Sequence, residues 1–168
     1  MAEVVLAIKQ LKNYKSPGMD GIAPEMLKAD EIETPIVIKE LFNHMWRDEV
    51  TPVEWKKRGI IVRIPKKGDL SECGNWQGIT LSSLGLKVFS KVILNRIEPV
   101  IDRILRKEQA GFRKGRGCDD QIFILRHIAQ QCNELKSPLV LCFVDFEKAF
   151  DSISRSMMKK ILRHYGIP

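Results

Sequence analysis

Apolar positions recur along this 168-residue chain at two periods, and the switches between them mark out its elements. Val4, Ile8 and Leu11 stand at helical spacing and predict a short amphipathic helix over about residues 3–13. Ser16-Pro17-Gly18-Met19-Asp20-Gly21 then stacks Pro-Gly and Asp-Gly turn signals, and Pro24 marks the first position of another short helix. Ile38, Leu41, Phe42, Met45 and Trp46 form the apolar face of a longer helix, expected to open at Thr34 as cap with Pro35 just inside. Thr51-Pro52-Val53-Glu54 reads as a capping box for a short helix through Trp55.

At Gly59 the period changes. Ile60-Ile61-Val62-Arg63-Ile64 is rich in β-branched residues and bounded by Gly59 and Pro65, which predicts a strand followed by a turn at Lys66-Lys67-Gly68-Asp69; Gly78-Ile79-Thr80-Leu81 is a second strand candidate. Val88, Val92, Ile93, Ile97, Val100, Ile101 and Ile104 mark a long helix that Pro99 is expected to kink or break. Asp119 or Asp120 is the expected cap of a helix lined by Ile122, Leu125, Ile128, Ala129, Cys132 and Leu135, which Ser137-Pro138 stops. The strongest strand signal is the continuous apolar run Leu139–Val144, of the kind seen where both faces of a sheet are covered. Ser154 caps a last helix through Met157, Met158, Ile161, Leu162 and Tyr165, ended by Gly166. The mixture predicts an α/β (α+β) class, with neither internal repeat nor linker.

Composition narrows the possible functions. No apolar run reaches the roughly 18 residues of a transmembrane helix, which excludes a membrane-spanning enzyme. Four scattered cysteines without a C-x-x-C pair read as free thiols rather than a zinc site. With 28 Lys and Arg against 21 Asp and Glu, the net charge is +7. The basic residues cluster in Lys56-Lys57-Arg58 with Arg63, Lys66 and Lys67, and again from Arg103 to Arg116, so a polyanion is the first partner to consider.

Asp145 directly follows the apolar run. Burying a carboxylate at a strand end is costly unless it is paired or binds a cation; otherwise such an Asp is a helix cap or turn residue. The segment Asp145-Phe146-Glu147-Lys148-Ala149-Phe150-Asp151 resembles the first catalytic motif of reverse transcriptases of the non-LTR retrotransposon type. Five further segments resemble the family's other blocks, in the family's order: Lys15–Ile22, Ile64–Asp69, Asn75–Leu81, Ser90–Arg96 and Gln109–Arg113.

The resemblance implies an RNA-directed DNA polymerase, with RNA template, DNA primer and deoxynucleoside triphosphates as partners and Mg²⁺ (or Mn²⁺) as cofactor. It implies that Asp145 bridges the cations and that the Phe146 backbone carbonyl completes the coordination. Phe150, which otherwise reads equally as core packing, would exclude a 2′-hydroxyl. Lys66 and Lys67, with Arg63, would close over the triphosphate, and Gln77 stands where the family usually carries an Arg. Arg113, Lys114 and Arg116, beside Gly111, would line the template. Trp76 reads as a core anchor of the hairpin, and Asp20 and Asp151 as structural residues.

No aromatic-x-Asp-Asp block follows Asp145. The expectation is therefore a truncated domain, about 1–138 mainly fingers and 139–168 the start of a palm, inactive alone. The alternative is a non-catalytic nucleic-acid-binding remnant of a degenerate element. An intracellular location, nucleus or cytoplasm, is implied only by the resemblance.

Overall fold

Helix α1 (Ala2–Lys9) buries Val4, Ala7 and Ile8, the i, i+3, i+4 stripe expected of an amphipathic helix on a core. A computed structural model describes residues 1–57 and 59–167. Of the basic run Lys56-Lys57-Arg58, Arg58 and the side chains of Lys56 and Lys57 lie outside the described residues. The chain forms two compact units, Met1–Arg96 and the part from Ile97 onward.

In the first unit α1 is followed by α2 (Pro24–Lys28), α3 (Glu33–Asp48) and α4 (Val53–Lys57), then strands β1 (Ile60–Pro65) and β2 (Trp76–Leu81), and the opening of α5 (Leu84–Ile104). Val4, Ala7 and Ile8 of α1 meet Ile38, Phe42 and Met45 of α3 and Val88 and Val92 of α5 in one cluster, with Leu11, Leu27, Trp55 and Phe89 against it. Phe42 touches both Phe89 and Trp55 edge to face, with ring centroids 5.0 and 6.5 Å apart. Trp55 reaches this position because residue 85 is glycine: a Cβ there would stand 2.6 Å from its ring. At the rim, Arg96 clasps Glu3 with both Nε and a terminal nitrogen at 2.6 Å, and the Asn95 amide donates to Gln10 Oε1.

β1 and β2 pair antiparallel, Ile60 opposite Leu81 through Pro65 opposite Trp76. Strand β2 begins two residues earlier than the apolar pattern predicts. The turn residues Cys73–Asn75 form a short 3-10 turn just before it, and the Lys66 N–H donates to the Asn75 carbonyl, which closes the ladder there. Helix α3 opens one residue ahead of Thr34, because the Asp30 carboxylate accepts from the Ile32 and Glu33 N–H groups.

From Ile97 onward the chain contains the rest of α5, then α6 (Cys118–Glu134) and α7 (Arg155–His164). Pro99 does not break α5, which runs as one helix through it; a proline removes a single backbone donor, and the flanking turns keep theirs. Helix α6 starts after Gly117, one residue before Asp119, so both aspartates sit in its first turn, where negative charge suits the helix dipole. Ser154 caps α7 as expected, accepting the Met157 N–H.

The main correction concerns Leu139–Val144, which is irregular rather than a strand. Among the described residues the sole sheet is β1–β2, so the run has no ladder partner and its side chains are open: Val140 is 91% and Phe143 79% exposed. A strand of this composition needs neighbours on its edges and cover on its faces. None of the described residues from 97 to 167 is buried. Helix and strand are thus mixed, with a small sheet. Among the described residues no helix is long and apolar enough to cross a membrane.

Val88 is fully enclosed at the centre of the first unit. Val88→Ala is expected to lower its unfolding free energy by about 1–3 kcal/mol in urea titration, whereas Val140→Ala, at an open position, leaves the transition within about 0.5 kcal/mol.

Candidate functional site

The hairpin presents its predicted residues on two faces. Side chains alternate along a strand, so Arg63 shares a face with Ile61, Gly78 and Thr80, while Gln77, opposite Ile64, lies on the other face with Val62 and Ile79. The Arg63 guanidinium rests over the Trp76 ring, 5.6 Å from its centroid. Trp76 in turn donates its Nε1–H to the Leu70 carbonyl at 3.0 Å, which ties the turn back to the ladder. Trp76 is therefore the hairpin anchor, and Arg63 is stacked away from Gln77.

Lys66 and Lys67 follow β1 directly and are exposed. The turn that carries them is built by Asp69: its carbonyl accepts the Asn75 amide at 2.7 Å, and its carboxylate accepts the Ser71 N–H at 2.9 Å. The Ser71 hydrogen bonds, backbone first, hold the Asp69 carboxyl below its ordinary value. That carboxylate is thus engaged within the turn, and Lys66 and Lys67 stand where the turn leaves β1.

Behind the hairpin, the loop at Ser16–Gly21 meets the junction of β2 and α5. A Cβ on Gly18 would lie 2.7 Å from the Ser82 carbonyl oxygen, so only glycine lets the two backbones come this close. The Asp20 carboxylate accepts the N–H of Leu84 at 3.1 Å, and its other oxygen that of Ile22. Ser83, buried, accepts the Leu86 N–H. Asp20 is the turn former expected from Asp-Gly and also a cap of α5, 64 residues away. That second role leaves no local signal.

In the second unit the basic turn after α5 is organised around Arg113. Its guanidinium donates to the Asp102 carboxylate (2.7 Å) and to the carbonyls of Asp102, Arg106 and Gln109 at 2.8–3.1 Å. The side chain is only 7% exposed. Arg113 thereby joins a carbonyl of the last turn of α5, that of Asp102, to two in the turn that follows. Arg116 bonds the Lys107 carbonyl, and Lys114 is exposed. A Cβ on Gly111 would meet the Gln109 amide only at 3.7 Å, an ordinary contact.

Asp145, Phe146 and Phe150 all lie exposed in the irregular segment after Val144. Phe150 meets Phe112 edge to face, centroids 6.1 Å apart, with Phe112 held at φ +60°. The segment that carries the acidic residue and the turn that carries Arg113 and Lys114 are therefore in contact. Among the described residues no group of three or more His, Cys, Asp or Glu side chains stands close enough to hold a metal ion.

The family described as Reverse transcriptase (RNA-dependent DNA polymerase) matches residues 64–168, from the hairpin through the segment after Asp145. The chain belongs to the reverse transcriptase family. Over 98% of its length it is 31% identical to the probable RNA-directed DNA polymerase from transposon BS of Drosophila melanogaster, and 33% identical to the putative 115 kDa protein in the type-1 retrotransposable element R1DM of the same species. Over 91% it is 28% identical to the RNA-directed DNA polymerase from mobile element jockey of Drosophila funebris. These relatives are of the non-LTR type, and the chain spans 19%, 16% and 17% of their respective lengths. Residues 64–168 are thus reverse transcriptase domain sequence.

Within that domain the Arg113 clamp is open to a pH test. The Arg113 hydrogen bond, ahead of any other influence, holds the Asp102 carboxyl below its ordinary value of 3.8. A depressed folded-state value stabilises the fold above the unfolded value and loses that effect as pH falls through the folded one. The Tm difference between the natural chain and Asp102→Asn should therefore be constant from neutral pH to about pH 5, then vanish as pH drops below the usual aspartate range near 3.9. A difference that persists in acid would mean that the ion pair is not its source.

Proposed function

We propose that this chain supplies the fingers and the start of the palm of a right-hand RNA-directed DNA polymerase, about 1–138 and 139–168 respectively. Its substrates in the complete enzyme are then an RNA template, a DNA primer and deoxynucleoside triphosphates. The observation that carries the reading is the order of six family blocks along one chain, from Lys15–Ile22 to Asp145–Asp151, five of which, from Ile64–Asp69 onward, fall within the family match over residues 64–168.

Lys66 and Lys67 take the triphosphate, since their charges are exposed where the turn leaves β1 and the neighbouring carboxylate of Asp69 is already engaged. Arg63 is stacked on Trp76, on the face of the hairpin opposite Gln77. Gln77 offers an amide where a guanidinium would make an ion pair, which weakens nucleotide binding. Phe150 is assigned to the sugar of the incoming nucleotide, beside Phe112. Lys114 and Arg116 take template phosphates; Arg113 supports them from within the turn, its donors being spent on Asp102, Arg106 and Gln109, and Gly111 leaves the turn's surface open.

A divalent cation, Mg²⁺ or Mn²⁺, serves the family's chemistry by holding phosphates and activating a hydroxyl. This chain offers Asp145 and the Phe146 carbonyl toward it. With no three-ligand group among the described residues, this donor set does not make a metal centre by itself, and no step is assigned through the ion.

The test uses a longer product that carries this sequence and a downstream aromatic-x-Asp-Asp turn. Asp145→Asn should lower primer extension on an RNA template by more than about a hundredfold, beyond what losing a merely supporting group near a metal costs. Extension that survives in Asp145→Asn would remove Asp145 from the chemistry. In the same product Gln77→Arg should lower the KM for deoxynucleoside triphosphate about tenfold, because a hydrogen bond to a charged group adds about 1.5–3 kcal/mol. An unchanged KM would place Gln77 outside the nucleotide site.

A further inference from the structure

Between α1, α3 and the opening turns of α5, the first unit holds a cleft of about 340 Å³ whose lining includes no residue of the hairpin. Its floor is the edge-to-face pair of Phe42 and Phe89 with Val92 beside them. Trp46, one helical turn after Phe42 on α3, lines the cleft and is 66% exposed. A tryptophan this open, beside the buried Phe42 and Met45, contributes little to the core. It is a free stacking surface.

The polar lining has a clear sign. Lys39, Arg47 and Arg96 are cationic, Asn43 offers an amide, and Glu3 is the single carboxylate. Glu3 is already clasped by Arg96. Arg47 reaches Asp48 at 3.1 Å, a mutually exposed pair that costs little to open. Among the described residues Lys39 makes no ion pair with any carboxylate. Cations therefore outnumber the carboxylate in the lining, around a planar aromatic group and an amide.

We propose that this cleft binds one nucleotide of a single-stranded nucleic acid, its base stacked on Trp46 and its phosphates between Lys39 and Arg47. The size suits the ligand, since pockets for small molecules begin near 300 Å³. The combination suits it too, because single strands are held by aromatic faces that accept any base and by positive charge that follows the backbone. A polypeptide would find a poor match, as the lining sets several charged groups around a small apolar floor. The site lies apart from every residue assigned above to nucleotide or template, so it goes beyond that reading.

The test uses the 168-residue chain and a short oligouridylate carrying 4-thiouridine and a fluorescent end label, at low salt. Crosslinking under long-wave ultraviolet light should attach the oligonucleotide to the α3 peptide that contains Trp46. Trp46→Ala and Lys39→Glu should each weaken binding by anisotropy about tenfold, the scale of losing one base–aromatic stack, and added salt should weaken it further. Both side chains lie outside the buried core, and Lys39→Glu keeps the test open should Trp46→Ala alter the far-ultraviolet circular dichroism. Crosslinks confined to residues 60–81 or 109–116, with affinity unchanged in Lys39→Glu, would overturn the proposal while leaving the polymerase reading intact. Trp46 shielded by self-association at higher protein concentration, and not by the oligonucleotide, would assign the cleft to a second copy and overturn it equally.

Discussion

The arrangement of the first unit depends on how closely the Ser16–Gly21 loop approaches the end of β2. Gly18 lies against the Ser82 carbonyl, and Asp20 takes up the N–H of Leu84. Together they set where the strand stops and α5 begins. Helix α5 then carries Val88 and Val92 into the cluster formed with α1 and α3, and the hairpin is attached to that cluster through β2. A side chain at residue 18 would push the loop from the junction and leave a helix N-terminus without its acceptor. The turn motif and the hairpin, distant in sequence, are thus parts of one mechanical unit.

The second unit is held by different physics. It has no buried residue among those described, and its clearest organising element is polar: one guanidinium joins four acceptors at the end of α5. Hydrogen bonds of this kind order a turn without building an apolar core. The apolar side chains of α6, of Leu139–Val144 and of α7 remain largely open. Asp145 is exposed for the same reason, since the run before it is not paired into a sheet.

Much of the architecture was legible along the chain. The helices through Val4, Phe42, Val88, Leu125 and Ile161, the β1 strand, the turn at Lys66–Asp69 and the Ser154 cap all follow from local periodicity and capping chemistry, which act within a few residues. The ordered family blocks were legible too, because they consist of residue identities in sequence. Three features were misread or invisible. Leu139–Val144 has the composition of a buried strand, but composition does not provide the neighbours that a strand needs. Arg113 looked like a phosphate ligand by its charge, whereas its side chain is nearly enclosed. Arg63 and Gln77 looked like partners in one task, and the pleat puts them on opposite faces.

By itself, then, the sequence determined membership of the reverse transcriptase family, the local elements and the sign of the charge, because each depends on which residues occur and how they are spaced. Tertiary structure alone decided which face Arg63 takes, that Asp20 caps α5, that Arg113 serves the backbone, and that Trp46 opens on a cationic cleft. Those outcomes depend on pairings between residues far apart in the chain, and no local period records which donor will meet which acceptor once the backbone has closed.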